Sequence, residues 1–257
     1  MRTTSNPAFR NLPTGGGYAT FDNYPGGPYG YPAAGAPTTA ERPMTIDDVV
    51  TKTAITAGSA LAAGVLTAVT GMYVLALPAM VVGLVLSLII IFKQSANPGL
   101  VLGYSVAEGV FLGALTGVLD KLYPGIGFQA IVGTAGVFGG MLLVYKTGAI
   151  RVTPRLTRWI VGATIGVAVL MLANLLVSFF HTGGLGLRDG SPLAIGFSLL
   201  CIGIAAFSFL LDFDAADQAI RSGTPARYAW YIAFGLMTTL VWLYLEILRL
   251  LQYFRED

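Results

Sequence analysis

The sequence predicts an all-α, polytopic membrane protein: a seven-transmembrane-helix bundle that follows a disordered N-terminal tail. Of the 257 residues, 55% are hydrophobic and only 11% are charged. Soluble domains carry about 25% charged residues, so this chain lacks the polar surface that would coat a water-exposed core. The net charge of +2 is small and scattered, which argues against nucleic acid as a partner. The lipid bilayer is therefore the expected surrounding of most of the chain.

Residues 1–44 differ from the rest of the chain in composition. They are rich in Gly, Pro and Tyr and have no hydrophobic periodicity. Such a segment cannot bury enough apolar surface to offset its ordering entropy, so we expect a disordered cytoplasmic tail. No apolar stretch follows Met1 and Arg2 in the manner of a signal peptide. These features divide the chain into a tail, 1–44, and a transmembrane domain, 45–257.

The transmembrane domain contains seven apolar segments of about 18–25 residues, the length that crosses a hydrocarbon core of about 30 Å. Thr45 is expected to cap the first helix, whose first turn carries Asp47 and Asp48. The break between the first two segments, at residues 76–78, is the weakest, so six helices remain an alternative. The seven segments are 52–73, 75–92, 99–119, 126–145, 157–180, 192–213 and 229–251.

The loops indicate how the bundle is oriented. With seven helices, eleven of the 15 Lys and Arg residues fall on the side of the N-terminus and four on the other side. Because cytoplasmic loops carry the excess of Lys and Arg, the N-terminus and the loop after Asp214 are expected to be cytoplasmic. The C-terminus then lies on the opposite side. A six-helix count would break this alternation, which favours seven.

Glycines recur every four residues in the third segment, at Gly109, Gly113 and Gly117. In lipid, stripes of small residues let two helix backbones approach closely. We expect this stripe to serve packing inside the bundle rather than a dimer interface.

The sequence does not favour an enzyme. Its one histidine, His181, stands at a helix end, and the motifs Gly-x-Ser-x-Gly and His-Glu-x-x-His are both absent. No glycine-rich phosphate loop follows a strand, so we expect neither a nucleotide site nor a cofactor. The single cysteine, Cys201, excludes an intrachain disulfide and lies in an apolar run typical of a buried residue.

Acidic residues inside the apolar segments are the candidates for function, because a charge at the centre of a membrane helix costs roughly 2.5–3.5 kcal/mol on insertion scales. Glu108 lies near the middle of the third segment, between small residues that leave room for water or an ion, and is a candidate pore-lining group. Asp212 ends the sixth segment, Asp214 follows it, and Glu246 lies in the seventh. Structural alternatives are a protonated Glu108 bonded to a helix carbonyl, and an ion pair between Glu246 and Arg249 at i+3.

If two of these carboxylates meet across the sixth and seventh helices, both cannot ionise cheaply. They would share one proton and titrate as a unit, which makes a pH sensor. When both are deprotonated, an oxygen-only pair suits a hard cation such as Ca²⁺. Competition between protons and the cation would then gate cation passage.

Three short runs resemble the transmembrane Bax inhibitor motif family: Ala-Glu-Gly at 107–109, Phe-Ser-Phe-Leu-Leu-Asp at 207–212 and Leu-Tyr-Leu-Glu-Ile-Leu at 243–248. The resemblance covers about residues 50–253 and points to a bacterial branch with a Gly/Tyr-rich N-terminal tail. It implies six helices around a central seventh, and a pH-sensitive Ca²⁺ leak in the bacterial inner (plasma) membrane, gated by an acid pair on helices six and seven.

In this sequence the implied acids are Asp212, with Asp214 as the alternative register, and Glu246, where relatives usually have aspartate. Asp212 and Glu246 would also be the Ca²⁺ ligands. We therefore expect a cation (Ca²⁺) leak channel or exchanger. The alternative is a non-transporting regulator that binds other membrane proteins, such as a membrane protease, because some relatives are associated with that role. Depth is a difficulty, since Asp212 and Glu246 would meet only if the sixth helix continues to about Ile220 or if the seventh helix starts outside the bilayer.

Overall fold

The computed structural model describes residues 41–181 and 184–256. Residues 1–40, for which we expect a disordered tail, lie outside the described residues. Seven long α-helices and no strand occur in the described part of the chain. The helices are α1 (Ile46–Thr70), α2 (Ala76–Lys93), α3 (Pro98–Leu122), α4 (Ile126–Thr147), α5 (Pro154–Ser178), α6 (Pro192–Arg221) and α7 (Ala229–Glu256).

Each of these seven helices is long and apolar enough to cross a membrane. The prediction of a seven-helix, multi-pass membrane protein is thereby confirmed, and the six-helix alternative is wrong. The sixth helix differs from its predicted bounds, since it continues to Arg221. The helix thus passes Ile220, the point to which it had to continue for Asp212 to approach the depth of Glu246. We call the end of the bundle where α1 begins the N-terminal face, and the end where α1 ends the C-terminal face.

The helix starts follow from local chemistry. Thr45 accepts a hydrogen bond from the amide of Asp48, whose carboxylate accepts one from the amide of Thr45. This capping box satisfies two amides that the first turn leaves without partners, and the predicted cap is confirmed. Three other helices carry a proline in the first turn, where a missing amide costs nothing. These are Pro98, Pro154 and Pro192.

The glycine stripe of α3 brings that helix into close contact with α1. A β-carbon on Gly109 would overlap the backbone of Ala60, and one on Gly113 would overlap the backbone of Gly64. Side chains at these positions would force the two helices apart. The predicted packing role of the stripe inside the bundle is confirmed.

The seventh helix lies at the centre of the bundle. Its main contacts are with α1, α3, α4 and α6, whereas α2 packs mainly on α3 and α5 mainly on α6. Tyr231, Phe234 and Leu243 of α7 are almost completely buried, while apolar residues such as Leu84 on α2 and Leu172 on α5 are exposed. Exposed leucines on outer helices are expected where lipid replaces water as the solvent. Groups carried by α7 are thus shielded from the bilayer.

Residues 41–44 lie against the connection between α6 and α7. The amide of Met44 donates to the carbonyl of Thr224 at 2.8 Å, and the amide of Ala226 donates to the carbonyl of Arg42 at 3.0 Å. Met44 is buried, and the ammonium of Lys52 on α1 donates to the carbonyl of Ala226 at 2.6 Å. The α6–α7 connection is therefore clamped at the N-terminal face.

Candidate functional site

Asp212 lies on α6 and is 1% exposed. Its Oδ2 accepts a hydrogen bond from the hydroxyl of Thr239 on α7 at 2.6 Å, the short length typical of a hydroxyl bound to a carboxylate. Phe209 and Phe213 flank Asp212 on α6, are both buried, and pack edge-on against Phe138 of α4. The carboxylate is held by a partner on the central helix, on a turn of α6 whose aromatic side chains pack against α4.

Glu246 lies on α7 and is also 1% exposed. Its Oε1 accepts hydrogen bonds from Arg188 Nη2 at 3.0 Å and from Arg249 Nη1 at 3.4 Å. The contact with Arg249 is the i+3 ion pair weighed from the sequence, whereas Arg188 comes from the connection between α5 and α6. The nearer of the two cations that neutralise this buried carboxylate thus comes from a connection and not from a transmembrane helix.

The connection that carries Arg188 turns sharply. Its guanidinium lies 3.1 Å from Met171 Sδ and 6.0 Å from the centroid of the Phe197 ring, so it is inserted between α5 and α6. Three glycines of this connection adopt positive φ, a conformation that other residues enter at a cost. They are Gly184 (+62°), Gly186 (+73°) and Gly190 (+80°).

Two buried polar atoms of the ion pair between Arg188 and Glu246 have no hydrogen-bond partner among the described residues. They are Arg188 Nη1 and Glu246 Oε2. Each belongs to a charged group whose other terminal atom is paired. Leaving a buried donor or acceptor unpaired costs about 1–3 kcal/mol, so such atoms usually face a water molecule or an ion. The Glu246 level therefore retains one donor and one acceptor for a small polar species.

The register of α7 separates the two carboxylates. Thr239, the partner of Asp212, precedes Glu246 by seven residues, which is nearly two turns and roughly 10 Å along the axis. Asp212, through its partner Thr239, and Glu246 itself therefore lie on the same side of α7, at different depths. Asp212 is nearer the N-terminal face and Glu246 nearer the C-terminal face. Their titration as a coupled pair stays a prediction.

Asp214 and Asp217 lie on α6 closer to the N-terminal face. Asp214 is half-buried and accepts a hydrogen bond from the side-chain amide of Gln218, one turn away. Asp217 forms an ion pair with Arg221 at 2.8 Å, as the i+4 spacing predicts. Asp212 is thus the more deeply buried of the two registers that the sequence left open.

Glu108 occupies another part of the bundle. It is half-buried on α3 and faces α2, where a β-carbon on Gly83 would lie 2.9 Å from its Oε1. Tyr104, one turn earlier, lies edge-on to Phe234 of α7 with ring centroids 4.9 Å apart. Glu108 therefore reaches the space between α2 and α3 rather than the interface of α6 and α7, and its pore-lining role stays a prediction.

No group of three or more His, Cys, Asp or Glu side chains able to hold a metal occurs in the parts of the chain that the structure describes. Asp212 and Glu246 each supply one carboxylate at their own level. Ca²⁺ takes six to eight oxygen ligands, so a cation at either level would keep water or backbone oxygens in its shell.

Sequence reasoning did not identify Thr239 or Arg188. A signal for Thr239 was present, since a hydroxyl two turns before Glu246 places both groups on one side of a helix. Arg188 gave no comparable signal, because a loop arginine flanked by Leu187 and Asp189 is typical of a solvated turn. Only the packing of the α5–α6 connection shows that it reaches Glu246.

Comparisons with known proteins agree with this architecture. The model of the family described as Bax inhibitor 1 like matches residues 6–256, nearly the whole chain. An uncharacterised protein of Chlamydia muridarum (strain MoPn / Nigg) is 32% identical over 124 residues, which cover 48% of this chain and 47% of that protein. The chain thus matches about half the length of this relative. No solved structure matches it. From the family match and the seven membrane-spanning helices, the chain belongs to the Bax inhibitor 1-like family of membrane proteins.

Proposed function

We propose that this protein is a pH-sensitive cation leak channel or exchanger, with Ca²⁺ as the transported ion. One observation carries the proposal: two almost completely buried carboxylates, Asp212 and Glu246, lie at two depths along one side of the central helix. Ionisable groups inside a membrane bundle are costly, and they typically mark ion pathways or proton relays. Two separate levels also suit conduction, which requires sites weak enough for the ion to leave.

Competition with protons makes this pathway sensitive to pH. A carboxylate binds either a proton or a hard cation, so each level changes its affinity for Ca²⁺ when it is protonated. Asp214, on the N-terminal side of Asp212, is the candidate for the entrance. Glu108 faces α2 and lies outside the α6–α7 interface, so it is not part of this path. We place the N-terminus in the cytoplasm and the protein in the bacterial plasma membrane, so that Glu246 is the level nearer the outside.

In this proposal, Arg188 closes the pathway. Its guanidinium occupies the position beside Glu246 Oε1 that a passing cation would need. Because Arg188 belongs to a connection rather than to a helix, it can leave Glu246 without any rearrangement of the bundle. The closed state is then one in which the protein's own tethered cation fills the outer level.

Cation flux into proteoliposomes tests the proposal. The purified protein should conduct Ca²⁺ at a rate that depends on pH, and Asp212→Asn and Glu246→Gln should each abolish that dependence. Asp217→Asn is the matched control, since it removes an acid from the same helix that is paired with Arg221 near the N-terminal face. Normal pH dependence in both core variants would overturn the proposal. Absence of flux from the wild-type protein would favour the alternative, a regulator that binds other membrane proteins.

A further inference from the structure

A lateral cleft of about 630 Å³ lies between α1 and α4, with α3 and α7 as its floor. Its walls are mostly apolar, and it is separate from the α6–α7 interface that holds Asp212 and Glu246. Leu61 and Val65 on one wall and Phe128 on the other are about half or more exposed, so the cleft is open toward the bilayer. Its occupant therefore enters from the membrane.

The length of the cleft matches one leaflet. On α1 it extends from Ala57 to Val69. Twelve residues of helix span about 18 Å at 1.5 Å per residue, and half of a hydrocarbon core of about 30 Å is about 15 Å. A phospholipid acyl chain has about this length, because each chain spans one leaflet. The cleft is thus long enough to accept one chain from the glycerol level to the bilayer midplane.

The wall of the cleft is not purely hydrocarbon. Thr134 of α4 lines it and is 7% exposed, and its hydroxyl has no hydrogen-bond partner among the described residues. On the floor, the hydroxyls of Thr116 and Tyr244 bond to each other at 2.7 Å. A buried hydroxyl without a partner is costly. Thr134 lies nine residues after Gly125, about 13 Å along α4, so it is at the depth of the acyl chain, where a double bond would act as a weak acceptor.

The rim at the C-terminal face offers charge to a headgroup. Lys121 lies there with its ammonium 4.5 Å from the centroid of the Tyr73 ring. Arg255 donates to the carbonyl of Pro124 at 3.2 Å, in the turn between α3 and α4. Asp120 also lines the rim, and its Oδ1 accepts from the amide of Gly125 at 2.9 Å, inside that turn.

The start of α4 adds to this rim. Its N-cap, Gly125, makes no side-chain capping bond. The amide of Ile126 bonds to the carbonyl of Tyr123 at 3.2 Å, and the next two residues, Gly127 and Phe128, line the cleft. The N-terminus of a helix attracts anions such as phosphate. Lys121 and the start of α4 therefore lie together at the end of an apolar cleft about one leaflet long, and Arg255 binds the adjoining turn.

We propose that the cleft between α1 and α4 binds an anionic phospholipid, with one acyl chain along α1 and the phosphate at Lys121, Arg255 and the start of α4. Basic groups next to a gap between transmembrane helices are a known pattern for lipid headgroups. This site is independent of the cation pathway.

Native mass spectrometry of the full chain in detergent tests the site, with dioleoyl phosphatidylglycerol as the probe and dioleoyl phosphatidylcholine as its neutral counterpart. The wild-type protein should retain one phosphatidylglycerol molecule in preference to phosphatidylcholine. Val65→Trp should fill the cleft and lower retention about tenfold, because the indole takes the volume in which the acyl chain makes its dispersion contacts. Val85→Trp on α2 is the matched control, since the two valines are 50% and 49% exposed.

The headgroup is tested separately. Lys121→Gln combined with Arg255→Gln should abolish the preference for phosphatidylglycerol, while Lys93→Gln at the N-terminal face should not. Equal retention in the Val65→Trp and Val85→Trp variants would overturn the assignment of the cleft. Equal binding of the two lipids by the wild-type protein would overturn the headgroup site. A dimer that disappears only in Val65→Trp would make the cleft a self-association surface and overturn the lipid proposal.

Discussion

The Asp212 level and the Glu246 level of the α6–α7 interface are equally buried, but their carboxylates are held in different ways. Asp212 is bound by Thr239, a partner on the central helix, at the end of the bundle where residues 41–44 clamp the α6–α7 connection. Glu246 is bound by Arg188, which belongs to a connection, and by Arg249. The first arrangement can change only if helices move, whereas the second can change by movement of one loop.

This difference indicates where the proposed pathway would open first. A helix-borne hydrogen bond is maintained by the packing of Phe209 and Phe213, which resists deformation as a close-packed interior does. The loop-borne guanidinium of Arg188 is held by its charge partner and by its contacts with Met171 and Phe197, and movement of the loop alone can withdraw it. Opening at the Glu246 level therefore requires less reorganisation than opening at the Asp212 level. The following variants test that difference, from the largest expected effect to the smallest.

Arg188→Gln should lower the free energy of unfolding by about 3 kcal/mol, because removing one partner of a buried ion pair leaves the other charge uncompensated. Unfolding in mixed detergent micelles, followed by circular dichroism, measures the change. Glu246→Gln should cost less, since Arg188 is then able to return to solvent, and the double variant Arg188→Gln/Glu246→Gln should recover part of the loss. Equal losses in both single variants and no recovery in the double variant would refute the ion pair.

Thr239→Val should lower the free energy of unfolding by about 1.5 kcal/mol, since it deletes one hydrogen bond to a buried carboxylate while nearly conserving volume. The same micelle assay applies. Thr238→Val is the control, because the hydroxyl of Thr238 contacts Tyr104 at 3.4 Å rather than an acid. If Thr239→Val lowers the free energy of unfolding more than Arg188→Gln does, the predicted order of these two losses is wrong.

Arg249→Gln should cost about 0.5 kcal/mol or less, as expected for an ion pair within one helix that is partly open to solvent. Its side chain is 32% exposed and its contact with Glu246 is 3.4 Å long, compared with 20% and 3.0 Å for Arg188. Comparing Arg249→Gln with Arg188→Gln in one assay separates the loop partner from the helix partner. A loss as large as that of Arg188→Gln would show that the helix partner, not the loop, secures Glu246.

Asp189→Asn should give the smallest effect, and one that depends on pH. The hydroxyl and amide of Ser191 lower the pKa of Asp189, which lies in the same connection as Arg188. A lowered pKa in the folded state contributes stability above the unfolded pKa of about 3.9, and this contribution is lost as the pH falls through the folded value. The melting temperatures of the wild-type and Asp189→Asn proteins should therefore differ slightly near pH 7 and converge below about pH 4. A difference that grows on acidification would contradict this.

Much of the fold could be predicted from the sequence. Seven apolar segments of membrane-spanning length predicted seven helices, and the capping box at Thr45 and the continuation of α6 toward Ile220 could be anticipated from local residue chemistry. These features depend on neighbours in sequence, and a single chain contains that information. The burial of Asp212 and Glu246 could also be anticipated, since both stand in apolar runs.

The partners of the two acids could not be predicted in the same way. The sequence suggested a contact between Asp212 and Glu246, but the register between two antiparallel helices depends on the length of their connection and on side-chain packing. In the folded chain, Thr239 takes the position opposite Asp212, and Glu246 lies about two turns further along α7. An error of two turns in register is enough to exchange one partner for another.

By itself, the sequence determined the membrane class, the helix count, the packing role of the glycine stripe in α3, and which acids lie in apolar surroundings. Hydrophobic length, small-residue spacing and capping are local properties, and they persist whatever the helices pack against. The family resemblance implied a central seventh helix, and the structure confirms it. Only the tertiary structure decided that Arg188 enters the bundle to neutralise Glu246 and that α1 and α4 enclose a cleft. These arrangements depend on which helix surfaces pack together. The free energy of that packing comes from many residues that are far apart in the chain.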